Sequence, residues 1–246
     1  MKHTEATSRH HPCYPSLTMK KAALILSLLL AAFSLILSGC DPHPSPTPEP
    51  KPTPRSGVAQ AQSATEAPQS FDYYLLNLSW SPEFCHSHPT NVQCGLHSTF
   101  VLHGLWPQQS NGSYQQNCST APGPTDPSQY KDLYPDPSLL QHEWKTHGTC
   151  SGLAPDAYFT AARKALQSVT IPTKLSQLDH QISLPPEQIL ALFTAANPDI
   201  PRDAMALSCG NNYLTAVEVC LSKQLTPMSC GSIRSCRANS VRIPAP

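Results

Sequence analysis

The sequence predicts an α+β domain, and three observations point that way. Apolar runs that alternate wholly or in part with period two stand near the two ends of residues 71–246, at Phe71–Trp80, Thr99–Leu105 and Tyr213–Leu221. Runs with helical spacing fill the stretch between, so strands and helices are not regularly interleaved and a doubly wound sheet is not expected. Eight cysteines follow residue 71, an even set suited to stapling the fold with four disulfides.

Taken in order, Phe71–Trp80 (FDYYLLNLSW) is rich in aromatic and aliphatic residues, as a buried strand requires, and Ser81-Pro82 ends it. In Thr99–Leu105 the period of two puts Phe100 and Leu102 on one face and Val101 and His103 on the other. Gly104 permits close approach of another group to the backbone. Pro137–His147 reads as a helix that Asp136 or Ser138 can cap, with Leu139, Leu140 and Trp144 available for burial and Gly148 as a permissive stop. Pro155–Val169 carries Tyr158, Ala162, Ala165, Leu166 and Val169 at helical spacing. Pro186–Ala196 has proline in its first turn and Ile189, Leu190, Phe193 and Ala196 facing inward. Tyr213–Leu221 alternates again and reads as a late strand.

The chain before residue 71 has a different character. Met19-Lys20-Lys21 precedes an uncharged apolar run, Ala22–Leu37, with signal-peptide proportions, so Met19 is the better start. Leu37-Ser38-Gly39-Cys40 resembles a bacterial lipobox, in which Cys40 would carry the lipid; an ordinary secretory signal is the alternative. Residues 1–40 are therefore expected to be a leader. Asp41–Pro54 has proline at every second position, and residues 41–70 read as an extended spacer that tethers the domain, or else as a proline-recognition ligand. Asp41 resembles an inner-membrane retention signal. Ten cysteines suit an oxidising compartment, so an exported, periplasmic or cell-surface protein is expected.

From residue 71 onward ten Lys/Arg face twelve Asp/Glu, which excludes a long basic footprint on duplex nucleic acid. Any nucleic-acid site must be small and rely on stacking. The chemistry concentrates in Phe100–Pro107 (FVLHGLWP) and His142–Cys150 (HEWKTHGTC), about forty residues apart. Each pairs a histidine with a tryptophan, and Glu143 and His147 stand one helical turn apart. Two imidazoles, one neutral and one charged near mild acid pH, can take a proton from one oxygen and give one to another. That suffices for RNA, which carries its own 2′-hydroxyl nucleophile. A zinc reading fails on spacing, because His142 and His147 are five apart rather than four and should not share a helix face. Cys150 beside His147 could be a thiol nucleophile or half of a disulfide.

FDYYLLNLSWSPEFC, FVLHGLWPQ and HEWKTHGTC together resemble the ribonuclease T2 family, and the likeness extends over Phe71–Pro246. It implies a central antiparallel β-sheet flanked by helices, no metal or other cofactor, and cleavage of single-stranded RNA through a 2′,3′-cyclic phosphate. It implies His103, Glu143 and His147 as catalytic residues, with His147 as base and His103 as acid, an order that this sequence does not decide. His142 matches a phosphate-binding position, and Trp106 and Tyr114 match base-stacking positions; core packing is the alternative for Trp106. Gln108 stands where some members carry an acidic base-reading residue. The disulfides it implies are Cys85–Cys94, Cys118–Cys150, Cys209–Cys236 and Cys220–Cys230, out of 105 connectivities open to eight cysteines. The second of these would close a loop worth roughly 3–4 kcal/mol in the chain-entropy model. Thr146 departs from the family pattern, which has lysine there. A weakened RNA-binding or envelope protein on the same scaffold is the competing reading. A monomer is expected.

Overall fold

A computed structural model of the protein describes residues 70–246. The expected leader, its Met19 start, the lipid-bearing Cys40 and all but the last residue of the proline-rich spacer lie outside the described residues. Among the described residues no helix is long and apolar enough to cross a membrane.

The chain runs through β1 (Tyr73–Trp80), α1 (Ser81–Ser87), β2 (Phe100–Gln108), α2 (Pro137–Thr146) and α3 (Pro155–Gln167). It continues through α4 (Thr173–Ser176), β3 (Ile182–Leu184), α5 (Pro186–Ala196), β4 (Met205–Gly210), β5 (Tyr213–Leu221) and β6 (Val241–Ile243). The sheet order is β2-β1-β5-β6-β3, with β4 also paired to β5. Four of the pairings are antiparallel. The central antiparallel sheet is thus as expected, and it carries one parallel contact, where β6 meets β5 at Tyr213↔Arg242. The stretch from Ser222 to Ser240 is long enough to bring the chain back in that sense.

β1 is buried on both faces. Leu76, Leu78 and Trp80 join Leu102, Leu105, Leu140, Trp144, Phe159 and Phe193 in the main core. Tyr73 and Leu75 face a smaller cluster with Cys220 and Cys230, against which Trp106 packs. This two-sided cover explains why β1 reads as a nearly continuous apolar run. All four disulfides join the expected partners: Cys85–Cys94, Cys118–Cys150, Cys209–Cys236 and Cys220–Cys230. Cys150 is therefore a structural half-cystine, which removes the thiol-nucleophile reading.

The expected strand at Thr99–Leu105 is corrected to Phe100–Gln108. Pro107 lacks an N–H, yet β2 is an edge strand hydrogen-bonded only to β1, where a missing donor is tolerated. Gly148 is corrected too. It does not adopt a left-handed conformation; it opens a 3-10 turn over Gly148–Cys150. Glycine is required there because a Cβ would overlap the Trp144 ring.

Candidate active site

β2 and α2 bring the site together. α2 begins as expected, with the Asp136 carboxylate accepting from Ser138 N at 2.8 Å and proline in the first turn. Leu140 and Trp144 anchor it in the core, and its last turn carries Glu143 inward, fully buried. His147 lies just past the helix, with φ −116° and ψ −46°, and its N–H still donates to Glu143 O. The loop after β2 is fastened to this helix end. Asn117 N donates to Thr146 O at 2.9 Å, Cys118 N to Thr149 Oγ1 at 3.1 Å, and Cys118 is bonded to Cys150.

On the strand side the register of β1 against β2 slips by one between Asn77 and Leu78. Asn77 pairs with Gly104 and Leu78 with Leu102, so His103 is the extra residue of a β-bulge. The bulge aims the imidazole between two elements. Its Nδ1 lies 3.1 Å from Ser79 Oγ on β1, and its Nε2 lies 3.7 Å from Glu143 Oε1 on α2. Gly104 follows because a Cβ at that position would overlap Glu143 Oε2 and Trp106 Nε1.

Trp106 links the two halves. Its indole N–H donates to Glu143 Oε2 at 2.8 Å. Its ring lies edge-on to His103, with centroids 5.1 Å apart, and stacks on His147 at 5.0 Å and 27°. It both packs against the smaller apolar cluster and lines the site. His142 is exposed, with its ring centroid 6.1 Å from that of His147 and its Nδ1 3.4 Å from Thr146 Oγ1. Thr146 is buried, so this hydroxyl faces a histidine at a place where the motif would carry a cation. Tyr114 is 57% exposed on the loop after β2 and makes no ring contact or hydrogen bond with these groups. Gln108 is buried at the end of β2.

Burial works against charge on His147, His103 and Glu143. It lowers the His147 pKa to about 4, assisted by repulsion from His142 and His103. It lowers that of His103 as well, with His142 adding to the effect. It raises the Glu143 carboxyl to about 8, a shift that the Trp106 hydrogen bond opposes. Glu143 Oε1 and His147 Nδ1 are buried with no hydrogen-bond partner. Leaving such atoms unmet costs on the order of 1–3 kcal/mol each, which a fold tolerates where a ligand completes them.

His142, Glu143 and His147 each offer a ligand atom, all within 4.8 Å of one another. The spacing argument against a shared face is thus corrected: His147 has left the helix and turns back toward His142. These three could hold a metal ion, although the neutral form that burial favours for Glu143 is a poor ligand. A cavity of about 280 Å³ opens beside His103 and His142, lined also by Ser79, Phe84, Gln93 and Val101. A larger cleft of about 730 Å³ lies along α1 and includes none of the three central residues. Ser79 was invisible to sequence reasoning, since only the register of β1 against β2 places its hydroxyl on His103.

A sequence model described as the ribonuclease T2 family matches residues 71–230. A ribonuclease of Aeromonas hydrophila is 43% identical over 108 residues, covering 43% of this chain and 50% of that protein. A probable ribonuclease of Haemophilus influenzae is 29% identical over 181 residues, covering 65% of this chain and 61% of its own length. The chain thus spans between half and two thirds of the length of these two relatives. Among solved structures, ribonuclease MC1 from bitter gourd seeds superposes with a TM-score of 0.57 at 25% identity, covering 70% of this chain and 99% of that one. An RNase-related protein from Calystegia sepium gives a TM-score of 0.58 at 25% identity, over 72% and 98% of the two chains. With its α+β fold, four disulfides and paired histidine segments, the chain belongs to the ribonuclease T2 family.

Proposed function

We propose that the protein is an endoribonuclease that cleaves single-stranded RNA by metal-independent transphosphorylation, through a 2′,3′-cyclic phosphate to 3′-phosphate products. The observation that carries this reading is the convergence of His103, Glu143 and His147 around one indole ring. His147, with its pKa near 4, is neutral at mildly acid pH and takes the proton of the 2′-hydroxyl. The oxygen attacks phosphorus, and His103 gives a proton to the departing 5′-oxygen. The second step reverses these roles with water as nucleophile. An incoming phosphate brings negative charge beside His103, which favours its protonated form and offsets the effect of burial. Glu143, held neutral, donates a hydrogen bond to a non-bridging phosphate oxygen, as a carboxyl kept protonated by burial can. His142 adds a phosphate contact, while Trp106 and the exposed Tyr114 offer ring faces to bases.

Export with a lipid anchor on Cys40, to the periplasm or cell surface, and action as a monomer complete the proposal. Four disulfides support an oxidising compartment. Incorporation of labelled fatty acid that disappears in Cys40→Ser checks the anchor. Thr146, whose hydroxyl faces His142 in place of a cation, favours a second reading: a weakened, RNA-binding protein. Product analysis on a defined dinucleotide, with EDTA present, separates the two. The enzyme yields a cyclic phosphate, and His147→Ala abolishes it. Tight RNA binding without product supports the second reading, and activity lost to EDTA argues for a metal at His142, Glu143 and His147.

A further inference from the structure

Two arginines that border one cavity, away from the imidazoles, lack acidic partners. Arg163 is held by Asp132, and Arg202 reaches both carboxylate oxygens of Glu187. Among the described residues Arg237 has no hydrogen-bond or ion-pair partner. The Arg242 guanidinium meets only Tyr213, donating to its hydroxyl at 3.2 Å and lying 5.2 Å from the ring centroid. Both arginines border one cavity of about 510 Å³, lined also by Ser183, Asn212, Asn239 and Ser240, with no carboxylate in its wall.

Two guanidiniums around one concave space repel each other, and an anion between them relieves that repulsion. Their planar donor forks match a phosphate, and the flanking amides and hydroxyls add neutral donors. The frame is fixed in advance. Arg237 follows Cys236, which is bonded to Cys209 on β4. Arg242 lies between the buried Val241 and Ile243, pairs with Ser183 on β3, and donates its backbone N–H to Asn212 O at 2.7 Å.

The cavity's place in the fold suggests what it holds. β6 is three strands from β2 in the sheet order, or about 15 Å at ~4.8 Å per strand. The 730 Å³ cleft borders α1, as does the cavity beside His103, and it reaches Asn211 and Tyr213, the chain neighbours of the Asn212 that lines the arginine site. The domain as a whole has ten basic against twelve acidic residues, so it offers a polyanion no general attraction and local cations must supply the grip.

We propose that Arg237 and Arg242 form a phosphodiester-binding exosite that holds a distal segment of the single-stranded nucleic acid whose scissile linkage sits at His103 and His147. This rests on the reading of the protein as acting on RNA, and the test keeps the two separable. The probe is a single-stranded oligodeoxynucleotide of about 20 nucleotides, which carries phosphodiesters but no 2′-hydroxyl and so is bound without being cut. The full chain, Arg237→Ala, Arg237→Glu and the double variant Arg237→Ala/Arg242→Ala are compared across salt. Arg237 is exposed and has no hydrogen bond or ion pair to lose, so its variants leave the fold intact even where the double variant does not. The expected result is roughly 5–20-fold weaker binding in the double variant, with a salt slope shallower by about 0.7 per lost phosphate contact. Arg237→Glu is weaker than Arg237→Ala, and dinucleotide turnover is unchanged. Equal binding by wild type and Arg237→Glu overturns the exosite whether or not dinucleotides are cleaved. Vesicles of anionic lipid are the second arm: loss of vesicle binding with nucleic-acid binding intact overturns the proposal in favour of a membrane surface.

Discussion

Glu143 and His147 owe their positions to one continuous stretch of chain, whereas His103 owes its position to Ser79, 24 residues earlier on a neighbouring strand. On the helix side a capped first turn, two buried anchors and a disulfide at the far end set the geometry locally. On the strand side a bulge, a glycine and a hydroxyl on the partner strand set it through pairing. The difference shows how one site joins rigid local structure to register. It also indicates where each half is vulnerable: the helix half through its buried charge, and the strand half through small changes in shape.

The largest effect short of deleting an imidazole is expected from Gly104→Ala. The added methyl must push Glu143 Oε2 or Trp106 Nε1 aside, and misplacements of about 1 Å cost around 10²-fold in rate. Steady-state kinetics on a dinucleotide checks this, and turnover within twofold of wild type would show that the close approach is not needed. Glu143→Gln comes next, with a rate loss of about 10–10²-fold but a stability gain. The folded-state pKa of Glu143 is raised from 4.5 to about 8. The native protein therefore keeps a proton that the unfolded chain releases, and the cost of burying this carboxyl grows as pH rises from 4.5 to about 8. Glutamine removes that cost. The variant's Tm should match wild type near pH 4 and exceed it by several degrees near pH 8; a gap that does not change with pH would contradict the burial account.

Ser79→Ala probes the strand half more gently. Whether His103 acts as acid or as neutral base through Nε2, its Nδ1 carries a proton that Ser79 Oγ can accept. Loss of one net hydrogen bond should lower turnover about 2–10-fold and move the alkaline limb of the pH profile to lower pH. Ser79→Thr should restore both, and a lowered rate with an unmoved limb would assign Ser79 a packing role only. The smallest effect is expected from Thr146→Lys, where a cation near the phosphate should raise turnover severalfold. A loss would mean that His142, already against that hydroxyl, fills the place.

The same contrast governs what could be read from the chain. Helical spacing is a local property, and α5 and the start of α2 lie where spacing and proline put them. β5 also matches its expected range, because apolar residues run through it from Tyr213 to Leu221 with only Thr215 and Glu218 between them. β2 runs three residues past its expected end, since Pro107 looks like a strand stop unless the edge position is known. β4 (MALSCG) has no β-branched residue and owes its form to pairing with β5, and β3 and β6 are three residues each. His103, Glu143 and His147 were found by motif, but the bulge that turns His103, the hydroxyl of Ser79 behind it and the return of His147 toward His142 all depend on tertiary register.

The most direct test of the paired-imidazole account is the pH dependence of kcat/KM on a dinucleotide with EDTA present. His147 must be neutral and His103 charged, and both pKa values lie below the ordinary 6.5, that of His147 near 4. The account requires a bell with its acid limb near pH 4 and its alkaline limb below 6.5 in the free enzyme. A rate that stays flat from pH 4 to pH 9, or that has a single limb, would contradict it.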